Sequence, residues 1–364
     1  RHFRTVSSSS SLVSIRFTCN SKEFLLICCG TTKRYAFVYN QIISYPFPLN
    51  KKSLQMSQLN SINVALCADK YIQLGLHVTL YSLLQHAETH VEVYLLHKSY
   101  TDKELFLIEK TLFPFKAKYT LHPIKFDSEA LNHIAGLHGN TFCYSRLFLG
   151  NILNVDRVLY LDSDLLITKD LTNLFYTSME GCVVGVAGVR ELRYALDKDM
   201  LLAYGHDASS KYFNSGVMLI DLDRWRKQDI FEKCIEFANA NPDSLVSHDQ
   251  TILNYIFYKN DFLELDSNYN IALYPFSKSV IKDCKIEGIF HFVGSPKPWD
   301  LFAEFVHGNY PFFREILCKT EFKKYNSLIN GWSKYRLKRT ILILPSYYRC
   351  LKKSSWMNFL ARLL

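Results

Sequence analysis

The run Leu159-Tyr160-Leu161-Asp162-Ser163-Asp164 narrows the folds open to this chain more than any other stretch. Its apolar start reads as a strand buried on both faces, and such strands belong to sheets covered by helices. It then stops at two carboxylates one residue apart. Residues two apart in an extended backbone project to the same side, so Asp162 and Asp164 can reach one divalent cation together. In open α/β sheets, ligands bind in the crevice beyond the carboxyl ends of the strands. A metal held there could in turn hold a diphosphate.

The flanking sequence alternates in the same sense. Short β-branched or apolar runs at residues 62–67, 91–96, 119–121, 157–161, 183–187, 217–220 and 289–292 read as strands. Residues 74–84, 224–240 and 249–257 have helical length and spacing, and the Thr101-x-x-Glu104 capping box opens a further helix to Leu112. Strands alternating with helices imply an α/β chain with a parallel sheet and helices on both faces. No Pro- or Gly-rich linker divides residues 56–315, so they read as one mixed α/β domain.

Charge separates the ends from the middle. The formal +9 divides into +7 over residues 1–55, −8 over 56–321 and +10 over 322–364. A nucleic-acid enzyme carries positive charge around its working site; here the core is acidic, which suits a metal-using site with a basic attachment tail. Residues 1–22 contain a serine run and no acid, a superficial likeness to a transit segment. The expectation is that residues 1–55 are a poorly ordered or non-native leader, with translation starting near Met56. The ten cysteines are scattered without a CxxC pair, which argues against zinc and for reduced core thiols in a cytoplasmic setting. No run approaches the roughly 18 apolar residues needed to span a bilayer.

Three further segments bear on the double aspartate. Lys211-Tyr212-Phe213-Asn214-Ser215-Gly216 puts small and amide-bearing residues at a strand entrance. Ser247-His248-Asp249-Gln250 opens a helix at its positive end. His291-Phe292-Val293-Gly294-Ser295-Pro296-Lys297-Pro298-Trp299 follows a strand and offers an imidazole, a glycine open to close approach and a lysine for phosphate charge.

In this order and spacing, from about Ile62 to Trp299, the motifs YLDSDLLI, FNSGVMLIDLDRWR, HDQTILN and HFVGSPKPW resemble those of the family 8 retaining glycosyltransferases, especially bacterial lipopolysaccharide galactosyl- and glucosyltransferases. The resemblance implies a GT-A fold, an αβα sandwich around a mostly parallel sheet, and a UDP-galactose or UDP-glucose donor. It implies that Asp162, Asp164 and His291 hold the metal. Their mixed N/O set suits Mn²⁺ first and Mg²⁺ second. It also implies donor contacts from Asp69, Tyr71, Arg146, Ser163, Asn214, Gly294, Ser295 and Lys297. Asp69 would meet the uracil edge, and Asp249 and Gln250 would lie at the reacting sugar.

Plainer roles stand beside these: a helix cap for Asp69, a snorkelling surface arginine for Arg146, a turn residue for Asn214 and a core histidine for His291. Two segments depart from the family pattern. Lys70, Tyr71 and Ile72 stand where relatives carry Asp-Asn-Tyr. Gly188-Val189-Arg190-Glu191 follows the 183–187 strand where relatives often carry a sugar-facing aspartate, a place Glu191 could fill.

The tail, residues 316–364, completes the expectation. Trp356, Phe359, Leu360, Leu363 and Leu364 follow helical spacing, with Lys334, Arg336, Lys338, Arg339, Arg349, Lys352 and Lys353 upstream. A basic amphipathic helix without acids suits an anionic membrane surface, and a helix packed on the catalytic domain is the alternative. The combined expectation is a peripheral enzyme on the cytoplasmic face, acting on a lipopolysaccharide or lipid-linked glycan, with no nucleic-acid partner. The rivals are a glycogenin-like self-glucosylating protein and a non-catalytic nucleotide-sugar-binding membrane protein.

Overall fold

The computed structural model describes residues 12–19, 22–29, 61–126, 133–134, 136, 141–258, 261–275, 286–326, 331 and 334–353. Within the expected leader, strands Leu12–Cys19 and Lys22–Cys29 pair antiparallel, in a separate unit that spans residues 1–55. The second unit begins at Met56 and holds everything below.

Among the described residues the main sheet has seven strands: β1 (Ser61–Ala68), β2 (His90–His97), β3 (Tyr119–Lys125), β4 (Arg157–Leu161), β6 (Val184–Val186), β7 (Val217–Asp221) and β8 (Leu263–Glu264), in the spatial order β8-β6-β7-β4-β1-β2-β3. Strand alternation divides the core into two layers. Val64, Leu66, Leu159, Leu161, Val217 and Leu219 face helix α1 (Gln73–His86) and its neighbours. Ala65, Val158, Tyr160, Met218 and Ile220 face the opposite layer, where Trp225, Phe237, Ile252 and Leu253 lie. The result is a helix–sheet–helix sandwich. Helix α2 (Asp102–Leu112) begins with the capping box expected from Thr101 and Glu104.

One strand runs against the expectation of a parallel sheet. β7 is antiparallel to both β4 and β6, whereas the pairs β8–β6, β4–β1, β1–β2 and β2–β3 are parallel. The apolar pattern of a strand carries no sign of its direction, so alternation alone could not reveal the reversal. Its consequence is functional. The start of β7 lies beside the end of β4, and the Asp162 N–H donates to the Gly216 carbonyl at 2.8 Å.

A smaller sheet continues from the aspartate turn. β5 (Leu165–Ile167) pairs antiparallel with β10 (Ile289–Phe292), which pairs parallel with β9 (Ile271–Leu273). Along its other edge β5 meets α1 rather than a strand. Thr79 Oγ1 accepts from the Leu165 N–H and donates to its carbonyl, both at 3.0 Å, and Ser82 Oγ accepts from Ile167 N–H at 3.1 Å. Side-chain hydroxyls thereby satisfy backbone groups that would otherwise be buried without partners.

Two sequence boundaries shift. The helix expected over 224–240 is two helices, α3 (Leu222–Lys227) and α4 (Ile230–Ala240), with Asp229 left-handed at φ +51° between them. One such residue breaks the helix without disturbing its apolar period. α5 (Asp249–Ile256) starts as expected, and α6 (Tyr310–Leu317) crosses the expected domain boundary at 315. Its Phe313 and Leu317 pack with Phe290 and Phe292 of β10. In the tail, α7 (Lys334–Leu342) and α8 (Leu344–Lys353) are described, whereas residues 356–364 lie outside the described residues. Arg336, Ile343 and Tyr347 face inward, with Ile343 and Tyr347 against Val306. Among the described residues no helix is long and apolar enough to cross a membrane, and Cys67, Cys143, Cys182, Cys234 and Cys318 are free thiols.

Thr79→Val keeps the volume but strips Leu165 of its edge partner. We expect a stability loss of about 1–3 kcal/mol, the usual penalty for an orphaned buried group, read by urea denaturation. A loss below the error of the measurement would show that the hydroxyl does not close this edge.

Candidate active site

The candidate site lies where the carboxyl ends of β1 and β4 meet the start of β7 and the end of β10. Asp162-Ser163-Asp164 form the turn from β4 to β5. Ser163 Oγ donates to the Cys67 carbonyl at 3.1 Å and ties the turn to β1. Tyr160, two residues earlier and on the same face, donates its hydroxyl to Asp162 Oδ1 at 2.7 Å. The register sets His291 opposite Leu165, and the Phe292 N–H donates to the Asp164 carbonyl at 3.1 Å. His291 Nε2 then lies 3.2 Å from Asp164 Oδ1 and 3.7 Å from Asp162 Oδ2. Ligand atoms of all three residues fall within 4.8 Å of one another.

These residues fit a divalent cation. Asn270 Oδ1 lies 3.0 Å from His291 Nδ1, which favours the proton there and leaves Nε2 with its lone pair towards both aspartates. A lone pair facing a carboxylate oxygen at that range is repulsive unless a cation lies between them. Asp164 Oδ1 is buried with no hydrogen-bond partner, the kind of orphan an ion would satisfy. Gly216 leaves the room required: a Cβ there would come within 2.3 Å of His291 Cε1 and 2.8 Å of Asp162 Oδ2.

Two cations of the chain balance the carboxylates. Lys297 Nζ donates to Asp164 Oδ2 at 2.5 Å and to the Phe292 carbonyl at 2.6 Å. Burial works to raise the Asp164 carboxyl, but the Lys297 ammonium, first among the groups that oppose it, holds the carboxyl well below the usual range. Arg146 is buried in a 3₁₀ helix, Thr141–Phe148, so it is no snorkelling surface residue. Its Nη2 lies 2.9 Å from Asp162 and its Nε 3.1 Å from Asp249, and the guanidinium sits 4.5 Å above the Tyr160 ring. At Asp249 burial prevails over Arg146 and pushes the carboxyl up to about 6.

Beside this charge cluster lies a network of amides. Asn214 Nδ2 donates to Gln250 Oε1 at 2.8 Å, and Ser215 N–H donates to the same oxygen at 3.2 Å. Gln250 Nε2 donates to Tyr212 Oη at 2.7 Å, and the Tyr212 hydroxyl donates to buried Asp197 at 3.0 Å. Asn214 Oδ1 accepts from Gly216 N–H and Asn270 Nδ2. Ser215 Oγ donates to Asp249 Oδ2 at 3.0 Å. His248 enters α5 at φ +54°, a conformation strained for a side-chain-bearing residue, immediately before Asp249 and Gln250.

The remaining expected residues sit at the same sheet edge with less decisive partners. Asp69 follows β1 and accepts from the Tyr71 N–H at 2.7 Å; it does not cap α1, whose N-cap is Ile72. The Tyr71 ring is exposed beside Lys70 Nζ. Gly294 takes φ +81° after β10 and is followed by Ser295. Glu191 is exposed and pairs with Arg193 at 2.5 Å. Sequence reasoning missed Asn270, Tyr160, Tyr212 and Asp197. Tyr160 was legible in principle, being on the same strand face as Asp162. Asn270 carries no local signal and joins the site only through the fold.

A family model described as glycosyl transferase family 8 matches residues 63–302. The chain is 27% identical over 247 residues to the glycosyltransferase GlyF of Streptococcus pneumoniae serotype 4, covering 66% of this chain and 58% of GlyF. It therefore spans little more than half of that relative. It is 26% identical over 255 residues to the lipopolysaccharide 1,2-glucosyltransferase of Escherichia coli K12, covering 66% and 74%. A crystal structure of the galactosyltransferase LgtC with donor and acceptor sugar analogs superposes with a TM-score of 0.59 at 22% identity, over 71% of this chain and 96% of that one. That likeness establishes a GT-A type fold here.

The raised Asp249 carboxyl has a signed consequence. In an unfolded chain the group titrates near about 3.9, so between that value and about 6 the folded state binds the extra proton. Its contribution to stability is full below about 4 and is lost as pH rises through about 6. Asp249→Asn should flatten the stability curve over this window by an amount on the order of 2 kcal/mol, measured by urea denaturation from pH 4 to 7. A variant curve parallel to that of the parent would rule this carboxyl out as the source.

Proposed function

The chain belongs to glycosyl transferase family 8, and from that premise we propose that it is a metal-dependent, retaining hexosyltransferase. It moves galactose or glucose from a UDP-sugar to a membrane-associated glycan, lipopolysaccharide core first among them. The observation that carries the reading is the meeting of Asp162, Asp164 and His291 beside Lys297 and next to Asp249 and Gln250. The E. coli relative, by its name a lipopolysaccharide glucosyltransferase, supports the acceptor class.

Asp162, Asp164 and His291 would hold Mn²⁺, with Mg²⁺ second; when bound, the ion supplies Lewis-acid stabilisation to a leaving diphosphate, typically several kcal/mol. Lys297 adds a positive charge to the same diphosphate, and Arg146 bridges Asp162 and Asp249 and orients both. Asp69, Tyr71, Ser163, Asn214, Gly294 and Ser295 complete the donor contacts, with Asp69 at the uracil edge. Asp249 accepts from sugar hydroxyls. Gln250 is a weak nucleophile, and its carbonyl oxygen already accepts from Asn214 and Ser215. A front-face substitution therefore suits this site better than a covalent glycosyl–enzyme intermediate. The bond from the anomeric carbon to the UDP oxygen breaks as the acceptor oxygen attacks the same face, and that UDP oxygen takes the acceptor proton. The Gln250 dipole stabilises the oxocarbenium-like sugar during the exchange.

The tail supports a membrane location. Leu337, Ile341, Leu342, Leu344 and Tyr348 are exposed on α7 and α8, with Lys338 and Arg349 exposed among them. Exposed apolar and basic side chains suit an anionic interface, at roughly 1 kcal/mol per basic residue.

A panel of UDP-sugars with Mn²⁺ tests the reading by following UDP release and product anomeric configuration. We expect turnover with UDP-galactose or UDP-glucose, retention of configuration, and loss of at least about 100-fold in Asp162→Ala. Inverted product, or full release without added metal, would overturn it. Hexoses added to the protein itself in intact-mass spectra would favour the self-glucosylating rival, and binding without any hydrolysis the non-catalytic one.

A further inference from the structure

The loop carrying Lys297 is held from behind by residues outside the family-matched span of 63–302. Asp300 is buried, and its Oδ2 accepts the Lys297 backbone N–H at 2.7 Å. The same carboxylate takes both arms of Arg339, Nε on Oδ1 at 2.5 Å and Nη2 on Oδ2 at 3.3 Å. Three consecutive carbonyls of the loop also receive donors from the two C-terminal helices. Arg336 donates to Trp299 O at 2.8 Å and to Asp300 O at 3.3 Å, and the Tyr347 hydroxyl donates to Leu301 O.

The opposite side of this loop faces the aspartate turn. Lys297 Nζ reaches Asp164 at 2.5 Å. The Trp299 ring lies against Gly75, where a Cβ would come within 2.6 Å of the ring and 2.3 Å of the Ser163 carbonyl. The loop is thus clasped between the double aspartate and the two C-terminal helices.

We propose that Arg339 is a positioning residue of the donor site. Through Asp300 it fixes the backbone of Lys297, and with it the ammonium that faces Asp164 and the diphosphate. The inference rests on the UDP-sugar reading above. A planar guanidinium that grips both oxygens of one carboxylate sets orientation as well as charge, which a lysine at 339 would do only in part. The clasp also makes α7 a component of donor binding, so the surface that meets a membrane and the lysine that meets a diphosphate belong to one mechanical unit.

The test titrates UDP, with saturating Mn²⁺, into the full chain and its variants by calorimetry, and follows UDP-sugar hydrolysis. Arg339→Met should bind UDP about tenfold more weakly, with the donor KM rising more than kcat falls, because displacement of one charged contact acts on donor binding first. Arg339→Lys should recover part of that loss, which a purely structural role would not predict. If Arg339→Met fails to fold because Asp300 is left charged and buried, the double variant Arg339→Met with Asp300→Asn removes that charge and is expected to show the same drop. UDP affinity within twofold of the parent in folded Arg339→Met or in the double variant would overturn the proposal while leaving the donor reading intact. A parent protein that binds no UDP in the presence of Mn²⁺ would instead overturn the donor reading, and this inference with it.

Discussion

Arg146 reaches Asp162 with one nitrogen and Asp249 with another, at 2.9 and 3.1 Å, in a place almost closed to water. The geometry of the site hangs on this bridge. Three carboxylates, Asp162, Asp164 and Asp249, converge in one crevice. An unpaired charge at such a depth costs about 3–5 kcal/mol, a large share of the stability of an ordinary domain. The chain meets the demand with one arginine between two aspartates and one lysine on the third. Each comes from a different element, so each element must be in place for the others to be tolerable.

The topology that allows this is a reversal. Had β7 run parallel to β4, Asn214, Ser215 and Gly216 would lie at the far end of the sheet from Asp162. Running antiparallel, it delivers them to the turn, where the Gly216 carbonyl takes the Asp162 N–H. The antiparallel pairing of β5 with β10 does the same for His291. The glycine at 216 is then a matter of space rather than of backbone freedom, since a methyl group there would drive the imidazole and the carboxylate apart.

The C-terminal helices have an inward and an outward side. Arg336, Ile343 and Tyr347 turn inward, and Arg339 reaches buried Asp300, as in a helix packed on its domain. Leu337, Ile341, Leu344 and Tyr348 turn outward, where the proposed membrane contact would find them. Net charge could not separate these roles, because a guanidinium facing a buried aspartate and one facing solvent count the same in a sequence.

What the residues alone determined was local and periodic. Runs of apolar side chains set the strands and their two buried faces, the Thr101–Glu104 pair set the start of α2, and the Asp-x-Asp spacing put both carboxylates on one side of the chain. The motif segments reached the site because short polar runs at element ends are readable without a fold. Strand direction, the break at Asp229, the amide of Asn270 on His291 and the grip of Arg339 on Asp300 were decided only by tertiary structure. The reason is physical. Periodicity records which side of an element avoids water, whereas direction, register and long-range pairing depend on which distant groups satisfy one another's charges and hydrogen bonds once the chain has closed around them.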